Sequence, residues 1–399
     1  MVKPITAMTH DTDIPQGYKA TALGIIPQEW EVRPLNYLGA ICSGGTPDTE
    51  VAEYWNGDIA WCTPSDITKL DTKYIESTEV KITAKGLKES SATLLPPRSI
   101  VVCTRATIGN AAICNTEIAT NQGFKNIIPN EKTNPEWLYY IIIYSKPRLV
   151  RFGCGSTFLE VSKKDFSRFK IAVPPLAEQR KIAEVLGVWD KAIEKQARLI
   201  EKLALRKRAL MQRLLSAKLR LPGFSEPWKK VKLGDVAELY QPQTIQSEDL
   251  SQTGYPVYGA NGLIGYYNNY NHEYPQVVIT CRGSSCGTVN FTPGKCWITG
   301  NAMVLNVDNN RDVNKSFFYY LISNSSFVNL ISGSGQPQIV RQPLLKFELR
   351  IPPLKEQTAI AEVLTAADRE IDLAKEKLER LRRQKRGLMQ QLLTGKKRI

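Results

Sequence analysis

A stretch of 48 residues recurs in this chain at a fixed offset of 178. The segment from Pro174 (PPLAEQ) returns from Pro352 (PPLKEQ) without a gap and with 23 identities. A period of 178 is far too long for stacked small repeats, so the chain reads as two copies of one large unit, each a body followed by a tail. Such a chain suits a two-fold object. Its 399 residues suffice for two or three domains that each bury a core.

The tails read as long helices. In the first, Ile182, Leu186, Trp189, Ile193, Gln196, Ile200, Leu203, Lys207, Leu210 and Leu214 recur at alternating spacings of four and three. In the second, Ile360, Leu364, Ala367, Ile371, Ala374, Leu378, Leu381, Lys385, Leu388 and Leu392 keep the same register. A 3.5-residue rhythm is the narrow apolar seam of a coiled coil. Proline pairs before each start, with Glu178 and Glu356 in the first turn, suit helix N-termini. Leu221-Pro222-Gly223 is expected to stop the first helix. At 1.5 Å per residue, a helix of about 40 residues is roughly 60 Å long. Lys207 and Lys385 stand at the matched place on each seam. A polar residue there costs stability but fixes register, so the two helices are expected to be mutual partners.

The bodies are built differently. Short β-branched runs such as Ile100-Val101-Val102 and Val277-Val278-Ile279 alternate with clusters of Gly, Asn, Pro and Ser, which predicts a twisted sheet in each. The bodies share a skeleton: Trp30 with Leu35 matches Trp228 with Leu233, Arg105 with Gly109 matches Arg282 with Gly287, and Trp137–Tyr140 matches Phe317–Tyr320. The expected fold class is α+β. An arm (1–20) precedes a first body (21–173), a helical segment (174–221), a second body (222–351) and a second helical segment (352–399). The two mixed α/β bodies are expected to be related by pseudo-two-fold symmetry and separated by a pair of long antiparallel coiled-coil helices.

Net charge is +14, and the tails carry nearly all of it, +7 in 174–221 and +5 in 352–399. A phosphate backbone or an acidic protein surface would be drawn to them equally. The clusters Arg206-Lys207-Arg208 and Arg382-Arg383 with Lys385-Arg386 have three readings: a solvated helix face, contact with phosphates, or docking of acidic partners. No window is apolar enough to span a membrane and the first residues lack a secretory h-region, so a soluble, cytosolic protein is expected. The eight cysteines form no CxxC pair, and only His10 and His272 offer imidazole, so free thiols and no metal site are expected. No phosphate-binding GxxxxGK[ST] loop, GxSxG elbow, dinucleotide or S-adenosylmethionine turn, or Asn/Asp-Pro-Pro-aromatic motif is present. The chain is therefore expected to be non-catalytic.

Two variable bodies, each closed by PPLxEQ and a coiled-coil helix, resemble the specificity subunit of type I restriction-modification enzymes. The resemblance rests on Pro174-Pro175-Leu176 with Glu178-Gln179 and on Pro352-Pro353-Leu354 with Glu356-Gln357. It is supported by Gly24–Trp30 and by Ser43-Gly44-Gly45-Thr46-Pro47. It implies that each body is a target recognition domain reading one half of a split site in double-stranded DNA. It further implies that the helices separate these domains and dock two modification (methyltransferase) subunits and, through them, two restriction subunits. S-adenosylmethionine, ATP and Mg would then belong to those partners, with no cofactor in this chain. One departure is that the second body has Gln241-Pro242-Gln243-Thr244 where the first has SGGTP. The runner-up class is a stand-alone two-fold DNA-binding or scaffolding adaptor. A self-contained nuclease or methyltransferase would need motifs that are missing.

Base edges are read by Arg on guanine and by Asn or Gln on adenine, so polar, glycine-rich loops supply the candidate DNA-binding residues. In the first body they are Ser43, Thr46, Arg105, Thr107, Asn121, Gln122, Ser156 and Thr157. In the second they are Gln243, Asn261, Arg282, Ser284, Ser285, Asn301, Gln336 and Gln338. Arg105 and Arg282 are as suited to phosphate, or to holding a loop, as to a base, because half or more of protein–DNA hydrogen bonds go to phosphate and sugar.

Overall fold

The computed structural model describes residues 14–153, 160–259, 262–333 and 335–399; His10, Cys154, Ser156, Thr157 and Asn261 lie outside the described residues. The chain divides into two compact units, residues 1–197 with 377–399, and residues 198–376. Two long helices, Leu176–Leu214 and Leu354–Leu393, each give one half to either unit.

The first unit is organised by a five-stranded sheet in the order Gly39–Ser43, Phe124–Pro129, Ile100–Cys103, Ala111–Cys114, Tyr74–Ile75. Strand side chains alternate between faces, and here both faces are covered. Ile100, Val102 and Ile113 face a core shared with Trp137 and Ile141 of the helix Pro135–Phe152, Ile182 and Leu186 of the first long helix, and Leu392 of the second. Val101, Cys103, Ala112 and Cys114 face a second core with Cys62 and Ile118. Those two residues belong to a smaller sheet, in which Trp55–Cys62 lies between Ile118–Thr120 (parallel) and Val80–Ile82 (antiparallel). Burial on both faces is why the strands read as unbroken apolar runs. Helix Pro135–Phe152 starts where it does because Asn134 caps the Trp137 amide at 2.8 Å and proline occupies the first turn.

The second unit repeats the plan with four strands, in the order Glu238–Tyr240, Ala302–Asn306, Val277–Thr280, Val289–Phe291. Val277, Ile279, Met303 and Leu305 face Phe317, Phe318 and Leu321 of the helix Lys315–Ser323, together with Leu214, Ile360 and Leu364 of the long helices. Val278, Ala302 and Val304 face Cys296 and Ile298. Its smaller sheet places Tyr255–Gly259 between Gly262–Tyr267 (antiparallel) and Trp297–Ile298 (parallel).

Within each unit the long helices run antiparallel. In the first, Glu178 meets Arg398 and Asp190 meets Lys385; in the second, Arg220 meets Glu356 and Lys207 meets Asp368. Every residue of the two 3.5-residue rows is buried or half-buried. The protected stripe is wider than a coiled-coil seam at the helix starts and ends, where Ala183, Leu215, Ala361, Met389 and Leu393 are also buried because the bodies pack there. The first helix ends at Leu214, earlier than the Leu221-Pro222-Gly223 stop. Ala217 turns the chain through the left-handed region (φ 57°), and the Leu219 amide donates back to Arg213 O at 3.0 Å. Gly395 (φ 71°), with Lys397 donating to Gln391 O, does the same for the second helix.

Candidate functional site

In the first unit the strand order gathers three loops that are distant in sequence. Gly39–Ser43 and Ile100–Cys103 both run antiparallel to Phe124–Pro129. The exits of the first two and the entry to the third therefore share one end of the sheet, where Ser43, Thr46, Arg105, Thr107, Asn121 and Gln122 lie. Thr46 Oγ1 donates to Gln122 Oε1, and the Gly44 amide donates to Phe124 O at 3.2 Å. Gly44 is required by close approach, since a Cβ there would lie 1.8 Å from Asn121 O. Asn121 spends its carbonyl oxygen on the Gly123 amide at 3.0 Å, which leaves its amide nitrogen as the group on offer. Arg105 and Gln122 are exposed, whereas the Thr107 hydroxyl is buried without a partner. Beneath the loops the buried Lys125 faces Glu160 at 3.6 Å; burial pulls its ammonium below the ordinary range and Glu160 opposes this. Glu160 also bridges the Arg105 backbone.

The second unit builds the same sheet end from other residues. The exits of Glu238–Tyr240 and Val277–Thr280 meet the entry to Ala302–Asn306. Gln243, Arg282, Ser284, Ser285, Asn301, Gln336 and Gln338 fall on these loops and on the adjoining segment that bridges Arg282 to Gln338. Arg282, Ser284, Asn301, Gln336 and Gln338 are exposed. The Cys281 amide donates to Asn301 O at 3.1 Å, and Gln241 Nε2 donates to Gly300 O at 3.0 Å. Strand register places Met303 and Gln338 where the first unit has Lys125 and Glu160, so an ion pair beneath one array is replaced by a thioether and an amide. Neither Arg105 nor Arg282 bonds its guanidinium to a described residue, so both are available to a ligand.

His272 organises this second array. Asn271 Oδ1 accepts from the Ile298 amide at 2.8 Å and from His272 Nδ1 at 2.6 Å, which leaves Nε2 to accept from Tyr240 OH at 2.9 Å. Tyr240 precedes the Gln241–Thr244 loop and Ile298 precedes the Asn301 turn, so one neutral imidazole ties the two together. Burial holds that imidazole below its ordinary pKa.

The junction between body and helices is the part the sequence concealed. Glu178 accepts from Arg398 Nε at 2.7 Å and from Trp30 Nε1 at 2.9 Å; Glu356 accepts Arg220 at 2.7 and 2.8 Å. Gln179 Oε1 accepts the Asn134 amide at 2.8 Å while its Nε2 donates to Pro174 O at 3.0 Å. Gln357 does the same with Asn314 and Pro352, at 2.9 Å each. The PPLxEQ string is thus a clasp: its glutamine ties the helix start to the cap of the body's own helix, and its glutamate receives an arginine from the segment that follows the other long helix. Both seam lysines are satisfied, Lys385 by Asp190 and Lys207 by Asp368, and each of these aspartates also receives a tyrosine hydroxyl, Tyr140 or Tyr320. Burial pushes both phenols up, with the aspartate carboxylates adding to it. Lys207 and Lys385 are therefore withdrawn from the basic clusters, while Arg206 (paired with Glu370), Arg382 (paired with Glu379), Arg208, Arg383 and Arg386 stay exposed.

No described helix is long and apolar enough to cross a membrane, and among the described residues no group of three His, Cys, Asp or Glu side chains could hold a metal. Burial pushes the Cys103 and Cys281 thiols up to about 11 and Cys114 to about 12, so they stay protonated.

Residues 27–204 and 225–383 each match the family model of the type I restriction modification DNA specificity domain. The chain belongs to that family. Among its relatives is the specificity subunit of the type I restriction enzyme MjaIX of Methanocaldococcus jannaschii, 39% identical over 193 residues. That match covers 47% of this chain and 45% of the relative, less than half the length of either. The EcoprrI specificity subunit of Escherichia coli is 26% identical over 357 residues, covering 85% of this chain and 88% of that one. The fold is shared with the S subunit of a type I restriction-modification system from M. genitalium, with a TM-score of 0.57 at 17% identity, covering 91% of this chain and 96% of that one. It is shared too with a chain from work on complex assembly and conformational transition of the type I R-M system, with a TM-score of 0.62 at 20% identity, covering 93% and 99%.

Proposed function

We propose that this chain is the DNA-reading subunit of a type I restriction-modification enzyme, with each unit reading one half of a bipartite site. The observation that carries the proposal is the pair of equivalent sheet ends, which present different side chains from one scaffold. Arg105, Asn121 and Gln122 in one, and Arg282, Asn301 and Gln338 in the other, offer the groups that pair with base edges in the major groove. Both long helices pass through both units, so they set the length of the non-specific spacer. Removing one heptad from each shortens a helix by about 10 Å, about three base-pair steps. A spacer left unchanged by that deletion would contradict this role.

The exposed helix faces, with Lys191, Lys195, Lys202 and Arg208 on one and Arg369, Arg380, Arg383 and Arg386 on the other, are the surfaces offered to two modification subunits and, through them, to restriction subunits. S-adenosylmethionine, ATP and Mg act on those partners. Co-expression with a modification subunit should yield a complex that methylates adenine in a sequence-specific way. A chain that binds DNA but recruits nothing would favour the stand-alone adaptor. Arg282→Ala should relax one position of one half-site; a uniform loss across all sites would reassign Arg282 to phosphate.

A further inference from the structure

Unit 2 carries an apolar feature at its loop array that the polar candidates do not explain. Strand Tyr255–Gly259 pairs parallel with Trp297–Ile298, so its far end and the start of Gly262–Tyr267 lie beside the Asn301 turn; the Thr299 amide donates to Tyr258 O at 3.0 Å. Here the register slips. Val257 faces Gly265 and Tyr258 faces Leu263, which leaves Ile264 as the extra residue of a bulge. Regular alternation would send neighbouring side chains to opposite faces, and a bulge re-aims them. Leu263 and Ile264 are 51% and 50% exposed. Gly259 makes room for the isoleucine, because a Cβ there would lie 2.9 Å from Ile264 Cγ2. In unit 1 the matching strand, Trp55–Cys62, runs instead into the short helix Pro64–Thr68, capped by Thr63 and Asp66.

We propose that Leu263 and Ile264 are specificity-determining residues that contact thymine 5-methyl groups in the major groove of the second half-site. The proposal rests on the reading that unit 2 faces DNA with this sheet end. Leu263 pairs with Tyr258, whose carbonyl accepts the Thr299 amide two residues before Asn301 of that array, and the array's amides, hydroxyls and guanidinium suit major-groove edges. The thymine methyl is the apolar group displayed among those edges. Two adjacent half-exposed aliphatic side chains within a polar surface gain by covering it.

The test uses the chain in complex with its modification subunits and duplexes carrying its mapped site, with thymine replaced by deoxyuridine in the second half only. This removes methyl groups and leaves the pairing edges intact. Wild type should lose about fourfold in binding for each methyl contacted. The Leu263→Ala/Ile264→Ala variant should bind both duplexes equally, and replacement in the first half should affect variant and wild type alike. Wild type that ignores uracil in the second half, or a second half without a T·A pair, overturns the inference while bipartite reading stands. A site with no second-half specificity sinks the underlying reading instead.

Discussion

The Trp30 indole in the first unit is fully buried and donates to Glu178, whereas Trp228 in the second is half-buried, with its ring nitrogen unpartnered. Beside Trp228 lies a cavity of about 210 Å³ lined by Ser216, Ala217, Arg220 and Arg350 among others. At the matching place in the first unit, Gly395 packs so closely on Pro27 that a Cβ would lie 2.3 Å from the ring, and Tyr18 OH donates to Gly395 O at 3.0 Å. The two junctions share their arginine–glutamate pair, their glutamine clasp and their lysine–aspartate–tyrosine cluster. They differ in how tightly the rest closes around these groups. Polar networks need every member present, so they resist divergence, while the apolar packing beside them tolerates a gap.

The largest expected effect tests the shared pair. Glu356 is 1% exposed and Arg220 26%, so Glu356→Ala leaves a partly buried cation without its partner and should cost about 3 kcal/mol in chemical denaturation. Glu178→Ala should cost a similar amount, and Glu178→Gln should recover part of it by still accepting from Trp30; equal losses for both variants would show that the tryptophan bond contributes nothing. The next effect separates the junctions. Gly395→Ala combines a left-handed backbone with a clash and should destabilise by about 2–4 kcal/mol, whereas Ala217→Gly should gain about 0.5 kcal/mol. Should both changes be neutral, the difference in closure is not energetic.

Double-mutant cycles probe independence at a finer scale. Lys385 with Asp190, and Lys207 with Asp368, should each couple by about 1 kcal/mol, while Lys207 with Asp190 should not couple. The smallest effect concerns the second array. Because burial lowers the His272 pKa, the unfolded chain binds the proton more readily, so stability present above pH 6.5 declines as pH falls below it. His272→Gln should flatten this slope, and an unaltered acid profile would remove the imidazole from the account.

The 178-residue offset made much of this architecture legible. It exposed the paired helices and the matched lysines, while Arg105 and Arg282, 177 residues apart, were matched by their place before Gly109 and Gly287. It did not expose Asp190, Tyr140 or Arg398. On a helical pattern an aspartate and a terminal arginine read as solvated surface, and their partners stand far away in sequence. The loops carrying Ser43, Arg105 and Gln122 looked alike in composition to many others. Only the strand order, which sets Phe124–Pro129 between two strands that are not its sequence neighbours, brings them to one edge. The helix stop was misplaced because Leu-Pro-Gly is a strong punctuation signal, yet an alanine in the left-handed region had already ended the helix.

Single-molecule sequencing of methylated adenines in cells carrying this chain with a co-expressed modification subunit tests the central claim most directly. Two unlike base clusters separated by a gap of fixed length and free sequence are the predicted result. One uninterrupted recognition sequence, or the same half-site read twice, would contradict it.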